Sequence, residues 1–264
     1  MRLDVYLVSK GVFSARIKAQ EAISEGLVKV NGKEIYKSSF QVVGDEKIEA
    51  EYPDSMRYVS RGGLKLEKAL RSFKVSPEGK IVLDAGASTG GFTDCLIKHG
   101  ASKVWAVDVG EGQLHHTLKN HPAITSIEKT NIKDLTLYQI GNRKPDWIVA
   151  DLSFISITKI FGVFSSLLND DGILITLIKP QFEAGKDKVG KGGIVKSKEV
   201  HLKVLNDIAG KAAENKLYLS KLDYSPIYDD SKNIEYLGMF LKKRNIGASA
   251  DIKGVINLAF LQRY

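Results

Sequence analysis

The chain has 264 residues, and 43% of them are apolar, which is enough for the buried cores of about two domains. It carries 39 lysines and arginines against 31 acids, so its formal net charge of +8 favours a polyanionic partner such as nucleic acid. The single cysteine, Cys95, excludes an intramolecular disulfide framework and a cysteine-rich zinc site. We therefore expect a reducing, cytoplasmic location.

The sequence predicts neither a signal peptide nor a membrane-spanning helix. Charges at Arg2, Asp4 and Lys10 interrupt the N-terminal stretch, which a signal peptide would need to be apolar. The most apolar long stretch, residues 148–168, contains two charged residues and several hydroxyl groups. It is predicted to be a core strand followed by a helix.

The first fifty residues predict a small α+β domain. Ser14 precedes the second helical segment and is a candidate N-cap, while Gly26 follows that segment and favours its end. The pair Asn31-Gly32 between two short β-prone runs is a strong hairpin signal. The predicted helices and strands cover residues 2–9, 15–25, 27–30 and 34–36.

A break in the pattern separates this domain from the rest of the chain. Residues 51–60, EYPDSMRYVS, contain Pro53 and polar neighbours, which are typical of a linker. We expect an N-terminal domain over residues 1–55, a linker over residues 56–64 and a second domain over residues 65–264.

Strands and helices alternate from Ile81 onward. Alternation of this kind predicts an α/β domain with a parallel sheet that is covered on both faces. The predicted strands cover residues 81–87, 103–110, 147–150, 173–178, 217–224 and 236–242, and the predicted helices lie near residues 61–70, 92–100, 157–168 and 199–215.

A glycine-rich turn, LDAGASTGGFTD, lies between the first predicted strand and a helix. Gly86, Gly90 and Gly91 would let the backbone approach a ligand, yet the turn is neither a GxGxxG fingerprint nor a P-loop. Asp108 ends the next strand, where a carboxylate accepts hydrogen bonds from ribose hydroxyls, and Asp84 could meet a cationic group directly or through a water. These features predict a site for S-adenosylmethionine. The alternative is a turn that serves only tight packing of strand and helix.

Several motifs in order resemble the TlyA family. They are DAGASTGGFTD, VDVG, ADLSFIS and LIKPQFE, behind the N-terminal RLDVYLVSKGVFSARIKAQEAISEGLVKVNGK. The resemblance implies an S4-type RNA-binding domain joined to an FtsJ-like, Rossmann-like methyltransferase domain. It also implies transfer of a methyl group from S-adenosylmethionine to the ribose 2′-oxygen of cytidines in ribosomal RNA, with ribosomal subunits as the expected substrate. The cofactor-binding residues expected from the turn and the family are Asp84, Gly86, Ala87, Ser88, Thr89, Gly90, Gly91, Phe92, Asp108 and Asn131.

The FtsJ-like resemblance further implies a catalytic tetrad. Its members here are Lys65, Asp151, Lys179 and Glu235. Lys179 is the candidate general base, because partial burial and a neighbouring Lys65 cation would favour its neutral amine. Asp151 would orient that amine, and Glu235 would hold Lys65 or the substrate ribose. The alternative for each residue taken alone is a solvated charge, and Asn131 is equally well explained as a turn former.

The candidate RNA-binding residues of the N-terminal domain rest on the S4 resemblance. Residues 1–60 hold nine basic and nine acidic side chains, so charge alone does not make this domain an RNA binder. A solvated charged face is the alternative. The candidates are Arg2, Ser14, Arg16, Lys18, Asn31 and Lys33.

Two other functions compete with the methyltransferase. One is a non-catalytic, ribosome-associated RNA-binding protein, and the other is a membrane-active hemolysin, which the absence of a predicted spanning segment disfavours. His115 and His116 lack further ligands at metal-binding spacing, so no metal is expected, and Cys95 is expected in the core.

Overall fold

The computed structural model describes residues 1–13, 15–53, 57–227, 233–243 and 250–262. These residues form two units, Met1–Tyr58 and Val59–Tyr264. Ser14, the predicted helix cap, lies outside the described residues.

The first unit is a small α+β fold. Its sheet has the order β2-β1-β3 and both pairings are antiparallel. Leu3, Leu7 and Ile23 are fully buried in its core. The elements are α1 (Leu3–Ser9), α2 (Arg16–Ser24), β1 (Val28–Val30), β2 (Lys33–Glu34) and β3 (Ile48–Ala50).

The predicted hairpin is confirmed. Val30 pairs with Lys33, and the two residues between them, Asn31 and Gly32, have φ values of 50° and 78°. Two consecutive positive φ angles are what a tight hairpin turn requires, and Asn-Gly adopts them at low cost. Gly26 has a φ of 74° just beyond α2, in agreement with its predicted place at the end of that helix.

The second unit contains a seven-stranded sheet with the order β6-β5-β4-β7-β8-β10-β9. The unit has an α/β architecture, as predicted. Its elements are α3 (Gly62–Phe73), β4 (Ile81–Ala85), α4 (Gly91–Lys98), β5 (Lys103–Val107), α5 (His116–Lys119), β6 (Ile124–Ile127), β7 (Trp147–Ala150), α6 (Phe161–Leu167), β8 (Ile173–Ile178), α7 (Pro180–Glu183), α8 (Lys198–Glu214), β9 (Tyr218–Tyr224), β10 (Tyr236–Leu241) and α9 (Ile252–Leu261).

The prediction of a wholly parallel sheet is wrong for β10. This strand is antiparallel to both of its neighbours, β8 and β9. The link between β9 and β10, residues 225–235, is short, and a parallel return needs a crossover of a dozen or more residues. An antiparallel return therefore follows from the length of this link.

The strand register brings the ends of four strands to one edge of the sheet. Ala85 of β4 pairs with Ala150 of β7, and Ala150 pairs with Thr176 of β8. Ile178, the last residue of β8, pairs with Tyr236, the first residue of β10. Because β10 runs the other way, the residues after β7 and β8 and the residue before β10 meet at this edge.

The second unit begins within the stretch predicted to be a linker. The unit starts at Val59, and α3 starts at Gly62. The amide of Val59 donates a hydrogen bond of 2.9 Å to Asp94 on α4. A Cβ on Gly91 would lie 2.2 Å from the hydroxyl of Ser60. The segment before α3 is thus packed on the start of α4.

Candidate active site

Two adjoining cavities open at the edge where the strand ends meet. The first has a volume of about 570 Å³ and the second about 530 Å³. Gly86, Ser88, Asp151 and Ser153 line both of them. The two cavities therefore meet between the glycine-rich turn after β4 and the segment after β7, where α/β sheets place their ligands.

The glycine-rich turn owes its shape to the protein's own packing. Gly86 has a φ of 81°, and a Cβ there would lie 2.9 Å from the carbonyl oxygen of Asp151. Gly90 has a φ of 94°, and a Cβ there would lie 2.5 Å from Leu118. The packing role that the sequence left as an alternative is present at both positions. Of the seven predicted turn residues, those lining the first cavity are Gly86, Ala87, Ser88, Thr89, Gly91 and Phe92.

Asp108 ties the turn to the end of β5. Its Oδ2 accepts a hydrogen bond of 2.8 Å from the amide of Ser88, and its Oδ1 accepts one of 2.7 Å from the amide of Gly110. Ser88 has a positive φ of 48°, which this bond helps to hold. A carboxylate has about four acceptor sites, so Asp108 retains acceptor capacity toward the second cavity, which it lines.

Asp84 lies behind the turn. Its side chain is fully buried, and its Oδ2 accepts a hydrogen bond of 2.6 Å from the hydroxyl of Thr93. Within the described ranges, Oδ1 has no hydrogen-bond partner, and Asp84 lines neither cavity. Burial, with a smaller contribution from the charge of Asp151, raises the pKa of Asp84 to about 7. The sequence predicted that Asp84 meets a cationic group either directly or through a water. Its position behind the turn is compatible with the contact through a water.

Asn131 caps a local turn, and its predicted contact with adenine stays a prediction. Its side-chain oxygen accepts a hydrogen bond of 3.1 Å from the amide of Lys133 and so caps a short 3₁₀ helix. It also lines the second cavity, together with Asp108 and Leu152.

The four predicted tetrad residues form an alternating chain of charges in the first cavity. Nζ of Lys179 lies 2.6 Å from Oδ1 of Asp151, and Nζ of Lys65 lies 3.8 Å from Oδ2 of the same carboxylate. Lys65 also donates a hydrogen bond of 2.6 Å to Glu235. All four residues line the first cavity, and each side chain is at most 22% exposed. The structure thus brings together residues from α3 and from the ends of β7, β8 and β10.

Four functional candidates near the tetrad were missed by the sequence reasoning. Nζ of Lys179 donates a hydrogen bond of 2.8 Å to the hydroxyl of Ser153. Gln181 lines the first cavity, and its buried Oε1 accepts no hydrogen bond from the described residues. Phe154 is 92% exposed with a φ of 63°, and its ring centroid lies 5.4 Å from that of Phe182. All four lie inside the quoted motifs ADLSFIS and LIKPQFE, so the signal was present in the sequence.

Glu183 joins the segments that follow β7 and β8. It accepts hydrogen bonds of 2.6 Å from the hydroxyl of Ser156 and 2.8 Å from the amide of Ile157. Burial raises the pKa of Glu183. The segment carrying Asp151 and Ser153 is therefore fastened to the helix that begins directly after Lys179.

A buried carboxylate organises the charged face of the first unit. Asp4 is fully buried, and it accepts hydrogen bonds of 3.0 Å from Nε of Arg2, 2.8 Å from Nε of Arg16 and 2.7 Å from Gln20. The side chains of Arg2 and Arg16 remain 40% and 52% exposed. These bonds, with that from Arg2 the strongest, hold the pKa of Asp4 far below its usual range. The sequence reasoning did not identify Asp4.

The remaining predicted RNA-binding residues are Ser14, Lys18, Asn31 and Lys33. Lys33 is exposed and Lys18 is half-buried. Asn31 occupies the hairpin turn, and its side-chain oxygen accepts a hydrogen bond of 2.9 Å from the amide of Lys47. Ser14 lies outside the described residues.

Among the residues that the structure describes, no cluster of three or more histidines, cysteines or acids is arranged to hold a metal ion. In the same part of the chain, no helix has the length and apolar character needed to cross a membrane. Cys95 is buried in α4, and the ring of His115 caps α5 by accepting a bond from the amide of Thr117.

The chain is similar to known proteins over most of its length. Residues 58–241 match the FtsJ-like methyltransferases, and residues 1–48 match the S4 domain. A Brachyspira hyodysenteriae protein named Hemolysin A is 45% identical and covers 91% of this chain and 100% of its own length. A Mycobacterium tuberculosis protein named 16S/23S rRNA (cytidine-2′-O)-methyltransferase TlyA is 38% identical over 89% of this chain and 87% of its own length. A solved Streptococcus thermophilus structure, provisionally named a hemolysin, has a TM-score of 0.74 at 35% identity and covers 99% of this chain and 96% of that one.

Proposed function

We propose that this chain, which belongs to the FtsJ-like methyltransferase family and carries an S4 domain, methylates the ribose 2′-oxygen of cytidine in ribosomal RNA, with S-adenosylmethionine as the methyl donor. The observation that carries the proposal is the alternating Lys-Asp-Lys-Glu chain at the junction of two cavities. Ribosomal RNA as the substrate also implies action in the cytoplasm.

The second cavity suits the nucleoside part of the cofactor. Asp108 has acceptor capacity for the two ribose hydroxyls, and Asn131 lies on the same cavity wall to meet an adenine edge. The glycine-rich turn would cover the methionine part. The unpartnered Oδ1 of buried Asp84 lies behind the turn, and the positive ammonium and sulfonium groups of the ligand would favour the ionised form of this carboxyl.

The chemistry needs a methyl carbon in line between the ribose oxygen and the departing sulfur. When bound, the cofactor supplies a methyl group on a positively charged sulfur, which keeps the electron pair of the broken C–S bond as a neutral thioether. The ribose 2′-oxygen forms the new O–C bond, and its proton passes to the neutral amine of Lys179. Asp151 stabilises by charge the ammonium that forms, while Glu235 holds Lys65 on the other side of the same carboxylate.

The target base would stack on the ring of Phe154. Phe154 lies on the wall of the second cavity, close to Phe182, and presents an almost fully exposed ring. A base taken out of its RNA helix loses stacking, and an aromatic side chain restores part of it. We assign Phe154 to that contact.

RNA docking is assigned to the first unit. Arg2 and Arg16 are fixed by Asp4 through part of their guanidinium groups and keep exposed surface for phosphate oxygens. Arginines held in this way lose less conformational entropy on binding than free ones.

Cofactor binding is tested by calorimetric titration with S-adenosylmethionine. Asp108→Ala should weaken binding by about 1–3 kcal/mol, because the ribose hydroxyls lose their acceptor and the turn loses two hydrogen bonds. Asp45→Ala, at an exposed acid of the first unit, is the matched control. Unchanged affinity in Asp108→Ala would remove Asp108 from the site.

Catalysis is tested with labelled S-adenosylmethionine and, in separate reactions, intact ribosomes, separated subunits and naked ribosomal RNA, followed by mass spectrometry of the nucleosides. We expect 2′-O-methylcytidine, and a loss of about 10²- to 10⁴-fold in rate for Lys179→Ala. Lys179→Arg should not recover the rate, because a guanidinium stays protonated. Lys253→Ala, at an exposed lysine of α9, should behave as wild type. Cofactor binding without methylation of any of these RNAs would favour the non-catalytic alternative.

A further inference from the structure

We infer that Ser153 is a positioning residue for Lys179 and that its hydroxyl, rather than the carboxylate of Asp151, sets the direction of the amine. This inference rests on the proposed function, because it concerns the base of that reaction. It adds to the tetrad a residue that is not one of its four members.

The geometry of the two contacts differs. Nζ of Lys179 donates a hydrogen bond of 2.8 Å to Oγ of Ser153. Oδ1 of Asp151 is as close, at 2.6 Å from Nζ, but this contact is an ion pair without hydrogen-bond geometry, and Oδ1 accepts no hydrogen bond from the described residues. Hydrogen bonds depend steeply on angle, whereas attraction between charges does not. The directional contact of the amine is therefore the one to Ser153.

The direction matters because a base acts through its lone pair. A neutral lysine amine has two N–H groups and one lone pair at the three free tetrahedral positions of nitrogen. The hydroxyl of Ser153 takes one N–H, and the negative charge of Asp151 attracts the other and repels the lone pair. The lone pair is then left for the cavity that Lys179 and Ser153 both line.

The position of Ser153 does not depend on its bond to Lys179 alone. Ser156 and Ile157, in the same segment after β7, are both held by Glu183. Glu183 lies on α7, which begins at Pro180, directly after Lys179. The segment that carries Ser153 and the helix that follows Lys179 are thus connected by Glu183 as well as by the Ser153–Lys179 hydrogen bond. The lysine side chain is only 9% exposed, whereas Ser153 itself is exposed.

Lys179 is linked through Asp151 to a chain of charged groups from three other elements. They are Asp151 after β7, Lys65 on α3 and Glu235 before β10, with Lys65 lying between the two carboxylates. Removing a neutral hydroxyl leaves all of these charges in place. A change in pH dependence on removal of Ser153 therefore reports the lost hydrogen bond.

The test compares Ser153→Ala and Ser153→Thr in the full chain. Single-turnover methylation of the ribosomal subunit that proves the better substrate is measured from pH 6 to 10 at saturating labelled S-adenosylmethionine. Ser153→Ala should lower the plateau rate about tenfold, the loss expected for one hydrogen bond. It should also move the midpoint of the profile to lower pH, because a hydroxyl acceptor stabilises an ammonium more than a neutral amine. Ser153→Thr keeps a hydroxyl and should recover most of the rate and the midpoint.

Controls separate this inference from the function on which it rests. Ser166→Ala changes a hydroxyl on α6 that bonds only within its own helix among the described contacts, and it should match wild type. A wild-type plateau and midpoint in Ser153→Ala would overturn the inference. So would a rate loss with an unmoved midpoint and no recovery in Ser153→Thr, which would indicate a packing role. Failure of the proposed function has a different signature, namely full activity in Lys179→Ala or no methylation by wild type.

Discussion

The amine of Lys65 on α3 donates a 2.6 Å hydrogen bond to Glu235, although 170 positions separate the two residues. This bond connects the first helix of the second unit to the start of β10, the strand that reverses the direction of the sheet. Lys65 also lies 3.8 Å from Asp151, so Glu235 holds it at a distance from the carboxylate that serves Lys179.

Glu235→Ala should lower the methylation rate by about 10- to 100-fold, since Lys65 would move toward Asp151 and compete with Lys179 for it. It should also destabilise the protein by about 1–3 kcal/mol, because a largely buried cation loses its partner. Single-turnover rates and urea unfolding measure the two effects. The double variant Lys65→Met with Glu235→Ala is the control, and it should recover stability because no unpaired charge remains. A Glu235→Ala protein with wild-type rate and stability would contradict the assignment.

The FtsJ-like resemblance was sufficient to name the four tetrad residues, which the structure groups around one cavity. It was not sufficient for the Lys65–Glu235 bond, which depends on β10 lying antiparallel beside β8. The turn glycines show a similar limit. Their spacing predicted a ligand site, while their close approaches to Asp151 and Leu118 depend on tertiary packing that spacing does not record.

The buried acid Asp4 shows why polar residues in an apolar helical pattern are hard to interpret. The sequence analysis used Asp4 only as a charge that argues against a signal peptide, and partners that make its burial favourable come from Arg16 and Gln20 on the next helix. Ser153 is a comparable case, because its role follows from a lysine 26 positions away. Both residues were quoted within a motif, but the motif did not state what they contact.

Stability should depend on pH through Asp84. Burial raises its pKa from an ordinary value of 3.8 to about 7 in the folded protein. The folded state therefore binds a proton that the unfolded state releases, and this group's contribution to stability is complete below about pH 4 and is lost as pH rises to about 7. Asp84→Asn cannot ionise and lacks this loss.

The measurement is the thermal unfolding midpoint of wild type and Asp84→Asn between pH 4.5 and 8.5. The midpoint of wild type relative to the variant should fall as pH rises through this window and level off above about pH 7. Other titrating groups act on both proteins and cancel in the difference. A difference that does not change with pH would show that Asp84 is ionised throughout.

The cluster that Asp4 forms with Arg2, Arg16 and Gln20 should control RNA affinity as well as local stability. Asp4→Asn keeps the size of the side chain but removes the charge that holds Arg2 and Arg16. Binding to ribosomal subunits should weaken at every salt concentration, because both arginines must then be ordered on binding. Arg16→Ala should instead reduce the slope of log affinity against log salt by about one phosphate contact.

Filter binding over a salt series distinguishes these two variants, and calorimetry with S-adenosylmethionine is the control. Cofactor affinity should be the same in all three proteins, because Asp4 and Arg16 belong to the first unit and the two cavities proposed for the cofactor and substrate to the second. Equal RNA affinity in Asp4→Asn and wild type would mean that Asp4 serves only the fold of its own unit.

Phe154 is an exposed aromatic residue in an unfavourable backbone conformation, and neither property helps the free protein. Its side chain is 92% exposed, so it contributes little burial, and its φ of 63° is uncommon for a bulky residue. Phe154→Ala should therefore leave the thermal midpoint nearly unchanged and lower kcat/KM for the RNA substrate by about 10- to 100-fold, the value of one stacked base.

Phe154→Tyr and Phe154→Trp keep an aromatic ring and should retain most of the activity. Tyr138→Ala, at another ring that is 82% exposed, is the matched control and should not change kcat/KM. If Phe154→Ala and wild type methylate subsaturating RNA at the same rate, the target base does not stack on this ring.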